Sequence, residues 1–121
     1  MDAKPRLLLF RSRQRLHSSP EFEFVYKSGT RSGDALFGIA AKRNALGYPR
    51  LGLSVGTKAV GNSVRRNRLR RVLREQFRLS QLHLPGVDIV ITARPGARAA
   101  PPAAIVESVT RLLKQIRARY P

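Results

Sequence analysis

The chain has 121 residues, 42% of them apolar, enough for one domain with a modest core; it has no cysteine, and so no disulfide framework, thiolate metal site or cysteine nucleophile. Its 24 Lys and Arg against 7 Asp and Glu give a formal charge of +17, which opposes compaction by self-repulsion and calls for a polyanionic partner. No apolar run is long enough to cross a bilayer, so a cytoplasmic nucleic-acid binder is expected rather than a membrane protein.

Residues 1–18 read as a basic N-terminal arm, with Arg6, Arg11, Arg13 and Arg15 around Leu7–Phe10 and Leu16, and residues 19–121 as a single α/β domain that binds nucleic acid. Leu7-Leu8-Leu9-Phe10 is too short for a signal-peptide core. Leu16 can act as a hydrophobic staple for the helix that follows. That helix is predicted from Ser19 as cap, with Pro20 in its first turn, Glu21 and Glu23 complementing the dipole, and Gly29 ending it. Phe22, Val25 and Tyr26 fall on one side and Phe24 nearly opposite, so the aromatic face serves either the core or a groove in which rings stack on bases.

From Thr30 the pattern turns extended. Thr30–Ser32 reads as a short edge strand, Ala35–Ala41 as a strand with Leu36 or Phe37 facing a core, and Lys42–Pro49 as a hairpin loop. Leu51, Leu53 and Val55 then alternate along the next strand. Gly61 breaks the segment after it, and Asn62 or Ser63 can cap a helix that runs to about Leu79. At about 100° per residue, Leu69, Val72, Leu73 and Leu79 share one arc with Gln76, while Asn67, Arg68, Arg70, Arg71, Arg74 and Arg78 cover most of the other side.

That basic face is costly for a lone helix. Arg66, Arg70, Arg74 and Arg78 recur at i+4 and Arg65, Arg68, Arg71 and Arg74 at i+3, each like-charge pair costing roughly 0.2–0.5 kcal/mol. A solvated charged face normally interleaves acids with bases, yet Glu75 is the only acid in this helix. The missing anions are expected on a partner. Arginine rather than lysine suits forked contact with phosphate oxygens.

Leu84-Pro85-Gly86 makes a turn, and Val87–Thr92 is a near-continuous apolar run, as for an interior strand. After a small-residue loop, Ala103–Arg119 forms a second long helix with Ile105, Val109, Leu112, Leu113 and Ile116 inward and Arg111, Lys114, Arg117 and Arg119 outward. The order helix, two or three strands, helix, strand, helix predicts an α+β sandwich, with helices against a small sheet.

A self-contained nuclease site is not visible. The acids Asp2, Glu21, Glu23, Asp34, Glu75, Asp88 and Glu107 are scattered over separate elements, and His17 and His83 have no supporting spacing. There is no phosphate-loop pattern and no zinc spacing, so no catalytic or metal-binding residue is assigned and no small-molecule substrate is expected.

The run Lys58-Ala59-Val60-Gly61-Asn62-Ser63-Val64-Arg65-Arg66-Asn67-Arg68-Leu69-Arg70-Arg71-Val72-Leu73-Arg74-Glu75 resembles the signature of the protein subunit of bacterial ribonuclease P. A weaker match is Arg13-Gln14-Arg15-Leu16 followed by Phe22, Val25, Tyr26, Lys27 and Gly29. The resemblance implies a two-layer sandwich of about four mostly antiparallel strands and three helices with a left-handed βαβ crossover, where the general rule would give a right-handed one. It implies that Arg65, Arg66, Asn67, Arg68, Arg70, Arg71 and Arg74 bind a catalytic RNA subunit, and that Arg15, Phe22, Tyr26, Phe37 and Lys58 receive the 5′ leader of precursor tRNA. Hydrolysis would belong to the RNA, with Mg2+ held mainly by that RNA and its substrate. Ala40 stands where some members carry an aromatic residue, and Phe24 where others are polar. A basic ribosomal or ribosome-assembly protein is the competing reading, and a free-standing nuclease using His17 or His83 a further one; the Asn67-centred helix combined with the Phe22/Tyr26 pair separates the first from the family resemblance.

Overall fold

The computed structural model describes residues 12–16 and 18–121. Helix α1 spans Ser19–Ser28 and is capped one residue earlier than expected. The Ser18 hydroxyl accepts from the Glu21 N–H at 3.3 Å, and the Glu21 carboxylate accepts from the Ser18 N–H at 3.1 Å. This reciprocal box satisfies donors that the helix itself leaves open. The Gly29 N–H closes the helix on Val25 O at 2.9 Å.

Four strands follow: β1 (Thr30–Gly33), β2 (Phe37–Arg43), β3 (Arg50–Ser54) and β4 (Val87–Ala93), in the spatial order β1-β2-β4-β3. β2 is antiparallel to β1 and β4, whereas β3 runs parallel to β4 with Leu51 opposite Ile89 and Leu53 opposite Ile91. β2 begins at Phe37 rather than Ala35, because the Asp34 carboxylate accepts the N–H groups of Leu36 and Phe37, both at 2.9 Å, and bends the chain into a turn. The parallel β3–β4 pair requires a crossover. It is built from a short helix α2 (Thr57–Val60), which the sequence reading passed over, and the long helix α3 (Ser63–Ser80). Helix α4 (Pro102–Arg119) completes the domain.

Strand parity divides the interior in two. Phe37, Ile39 and Ala41 of β2, Leu51 of β3 and Ile89 and Ile91 of β4 face α3 and α4, and pack with Leu69, Leu73, Phe77, Val109, Leu112 and Ile116. On the opposite face Ala40 and Val90 pack with Leu16 and Val25, with Phe22 and Tyr26 partly buried against them. The main sandwich is therefore sheet against α3 and α4, and α1 covers part of the other side. β4 is buried on both faces, which is why its sequence is a near-continuous apolar run, with Asp88 near its start held by Arg50.

Two expectations about α3 are corrected. Its buried stripe is Leu69, Leu73 and Phe77, one turn apart, with Phe77 having no exposed surface. Leu79 lies beyond the end of that stripe and is 48% exposed. Part of the basic arm also belongs to the domain. Arg15 bridges to Leu51, Leu16 N–H donates to Leu51 O at 2.9 Å, and buried Gln14 donates to Gln81 at 2.6 Å. These contacts cover the outer edge of β3 and fasten it to the end of α3. The arm's other arginines, Arg6 and Arg11, together with His17, lie outside the described residues.

Candidate nucleic-acid interface

Helix α3 starts at a sharp break. Gly61 has φ +113°, a left-handed value that other residues rarely adopt, and the Asn62 side chain then accepts the Arg65 N–H at 3.0 Å. No acid lies in the first turn.

The arginines of this helix do not form one plate. Asn67, Arg70, Arg71, Arg74, Glu75 and Arg78 line a shallow cleft of about 440 Å³ that Arg15 joins from the N-terminal segment. Asn67 Oδ1 accepts from Arg70 Nη1 at 3.2 Å, so the asparagine fixes the direction of one guanidinium. Glu75 clasps Arg78 with two hydrogen bonds of 3.1 and 2.6 Å. Arg74 is held below the ordinary arginine pKa by its burial and then by the charges of Arg15 and Arg70. It pairs with no carboxylate among the described residues. A partly desolvated guanidinium crowded by two cations is relieved by an incoming anion, and phosphate supplies one.

Arg65 and Arg68 point to a different flank, toward the turn after β4. Arg66 falls by helical phase on the side of Leu73 and Phe77; it is half-buried, and its Nε is enclosed without a hydrogen-bond partner. The like-charge crowding read from i+3 and i+4 spacing is therefore spread over separate directions.

The residues expected to receive a single strand are likewise divided. Phe22 and Tyr26 do stand together on the α1 face of the sheet. The Phe22 ring lies against Gly52, where a Cβ would come within 2.6 Å of Cε1, so the glycine makes the seat for the ring. The Tyr26 hydroxyl is hydrogen-bonded to that of Thr92 on β4. Phe37 is a correction: by strand parity it faces α3 and α4, has no exposed surface, and belongs to the core on the far side of the sheet. Arg15 lies with the α3 arginines, and Lys58 is exposed on α2. Phe24 is 58% exposed and carries Lys42 above its ring at 5.6 Å.

Sequence reading missed Arg94. Its guanidinium lies over the paired glycines Gly33 and Gly38, about the contact distance at which a Cβ on either would touch it (3.0 Å), and Nη1 donates to Asp34 O at 2.6 Å. Arg94 and Arg31 act on Tyr26, whose pKa burial nevertheless holds above the ordinary tyrosine value. The open end of this face thus combines two half-buried rings, two glycines and two arginines. Gly38, inside the apolar run Leu36–Ala41, is the sequence signal that points there.

No group of three or more potential metal ligands occurs among the described residues. Asp34 is engaged by Ser108 and Arg111, Asp88 by Arg50 and Asn44, and Glu75 by Arg78. His83 is exposed on the turn after α3. No helix is long and apolar enough to cross a membrane, among the described residues.

Against known proteins, the model of the ribonuclease P family matches residues 10–117. The chain belongs to the ribonuclease P protein family. The ribonuclease P protein component of Methylococcus capsulatus is 38% identical over 97 residues, covering 80% of this chain and 76% of that protein. That of Erwinia tasmaniensis is 38% identical over 108 residues, covering 89% and 91%. The solved ribonuclease P protein of Staphylococcus aureus superposes with a TM-score of 0.80 at 31% identity, covering 84% of this chain and 94% of that one. The mixed four-stranded sheet with its helices is thus the fold of this ribonuclease P family.

Proposed function

We propose that this ribonuclease P protein docks on the catalytic RNA subunit through α3 and holds the 5′ leader of precursor tRNA on the α1 face of the sheet. The observation that carries the first half is the cationic cleft of Arg15, Arg70, Arg71 and Arg74, where Asn67 directs Arg70 and the single lining acid, Glu75, is taken up by Arg78. Arg65, Arg66 and Arg68 extend the same RNA contact around the start of the helix. Phosphate contacts of this kind give affinity without base choice.

The second half rests on Phe22 and Tyr26, seated on Gly52 and Thr92, with Arg94 and Arg31 nearby and Lys58 on α2. Rings stack on successive bases for about 1–3 kcal/mol each with little sequence preference. That suits a component serving many precursors.

Hydrolysis of the leader phosphodiester is assigned to the RNA subunit, with Mg2+ held by that RNA and its substrate. The donor set of this chain does not suit the ion, because its described carboxylates are mostly committed to arginines, hydroxyls and backbone N–H groups. The protein supplies affinity and placement in a cytoplasmic ribonucleoprotein. The experiment is to compare long-leader and short-leader precursors on the assembled enzyme. Affinity should rise with leader length only when the protein is present, and lose that dependence in Tyr26→Ala. Equal leader dependence with and without protein overturns the leader assignment.

A further inference from the structure

A second cleft, of about 270 Å³, opens on the other flank of α3, between that helix, the turn after β4 and the start of α4. Its floor is aliphatic, formed by Leu69, Val72 and Ile105, and its rim carries Arg65, Arg68 and Arg98. Gly61 marks how close two of these come. A Cβ built there would lie 3.4 Å from Arg65 Cδ and 3.8 Å from Arg98 Nε, so both side chains border one point. The side chains of these three arginines have no carboxylate partner among the described residues. An aliphatic floor under guanidinium groups is unlike the first cleft, whose lining residues are all arginine, asparagine or glutamate.

We propose that this cleft receives one unstacked nucleotide of the bound RNA, its base on the Leu69, Val72 and Ile105 floor and its flanking phosphates on Arg65 and Arg98. The proposal rests on the reading of α3 as the RNA-docking helix, with which the cleft is continuous. The volume lies just below the range of about 300–1,000 Å³ usual for drug-sized ligands, which suits a single base. Three like charges at the rim select a polyanion, and the floor selects one with a planar apolar face. Single-stranded loops and bulges of RNA present both together, with bases free to stack on side chains and on guanidinium planes. Arg98 is thereby an RNA contact outside the helix signature.

The test uses full-length protein and the intact RNA subunit, with affinity measured across a salt series and base reactivity read by dimethyl sulfate. Ala100→Trp fills the mouth of the cleft without removing charge, and Arg98→Ala removes one rim cation. Wild-type protein should protect the base of an unpaired nucleotide. Ala100→Trp should abolish that protection and weaken binding about ten-fold, the scale of one lost stacking contact, at unchanged salt slope. Arg98→Ala should make the slope shallower by about 0.7–0.9, one phosphate's worth. If folded Ala100→Trp binds and protects as wild type does, the proposal is overturned while the α3 reading stands. Weaker binding without any base protection in the wild type means that only phosphates are held, and overturns it too. Wild-type binding that is insensitive to salt would defeat the α3 reading itself. Should Ala100→Trp fail to fold, Arg98→Ala, altering an exposed side chain, carries the test: an unchanged slope refutes the phosphate contact.

Discussion

Within the arginine cleft, the structure separates a committed cation from an uncommitted one. Arg78 is held by Glu75 through two hydrogen bonds, whereas Arg74 is partly buried beside Arg15 and Arg70 with no carboxylate partner among the described residues. Glu75→Gln removes the only acid of α3 and releases Arg78 toward the ligand. Both groups are solvent-exposed, so thermal stability should hardly change. Each additional phosphate neutralised steepens the dependence of log K on log salt by about 0.9. Over a four-fold salt range, such as 50 to 200 mM, that amounts to about a 3.5-fold larger loss of affinity for the variant. Arg74→Ala should act in the opposite sense, flattening the slope by about 0.9. Filter binding or fluorescence anisotropy with the RNA subunit across the salt series measures both. If Glu75→Gln leaves the slope unchanged or flattens it, while the melting temperature stays constant, the cleft does not contact phosphate in the manner described.

Three further outcomes follow from the packing. Phe77→Ala should cost about 3–5 kcal/mol in urea denaturation, because a fully buried ring between α3 and the sheet leaves a cavity; a cost typical of a surface site would contradict the α3 register. Gly52→Ala must displace the Phe22 ring, with a loss of about 1–3 kcal/mol, and should weaken leader-dependent substrate affinity while sparing binding to the RNA subunit alone. Asp34 is pushed up by burial, but the hydrogen bonds from Ser108, Phe37, Leu36 and Arg111 outweigh this and leave it below its ordinary value of 3.8. Its folded pKa is depressed, so its stabilising effect is complete above that value and is lost as pH falls through the lower folded pKa. Asp34→Asn should therefore show a flatter acid limb of stability than wild type, and parallel limbs would refute the assignment.

The helices and strands were legible because their signals are local. Gly29, Asn62 and Pro102 sit at element ends, and the apolar period of α4 matches its buried residues. Phe77 joins the buried stripe of α3 at i+4 from Leu73, off the broader apolar arc through Leu69, Val72 and Leu79 that helical periodicity alone picks out. The site was less legible. Which of two aromatic residues faces which side of a sheet depends on strand parity, and the turn set by Asp34 fixes that parity for Phe37. Arg94 and Arg98 lie on a loop far in sequence from the residues they join, so only the fold brings them to Tyr26 and Gly61.

Cleavage of a precursor tRNA with a 5′ leader at low Mg2+ tests the central claim most directly, comparing RNA subunit alone, protein alone and the two together. The account predicts cleavage only in the mixture, lost in Arg70→Ala/Arg74→Ala. Cleavage by the protein alone, or an RNA reaction that the protein leaves unchanged, would contradict it.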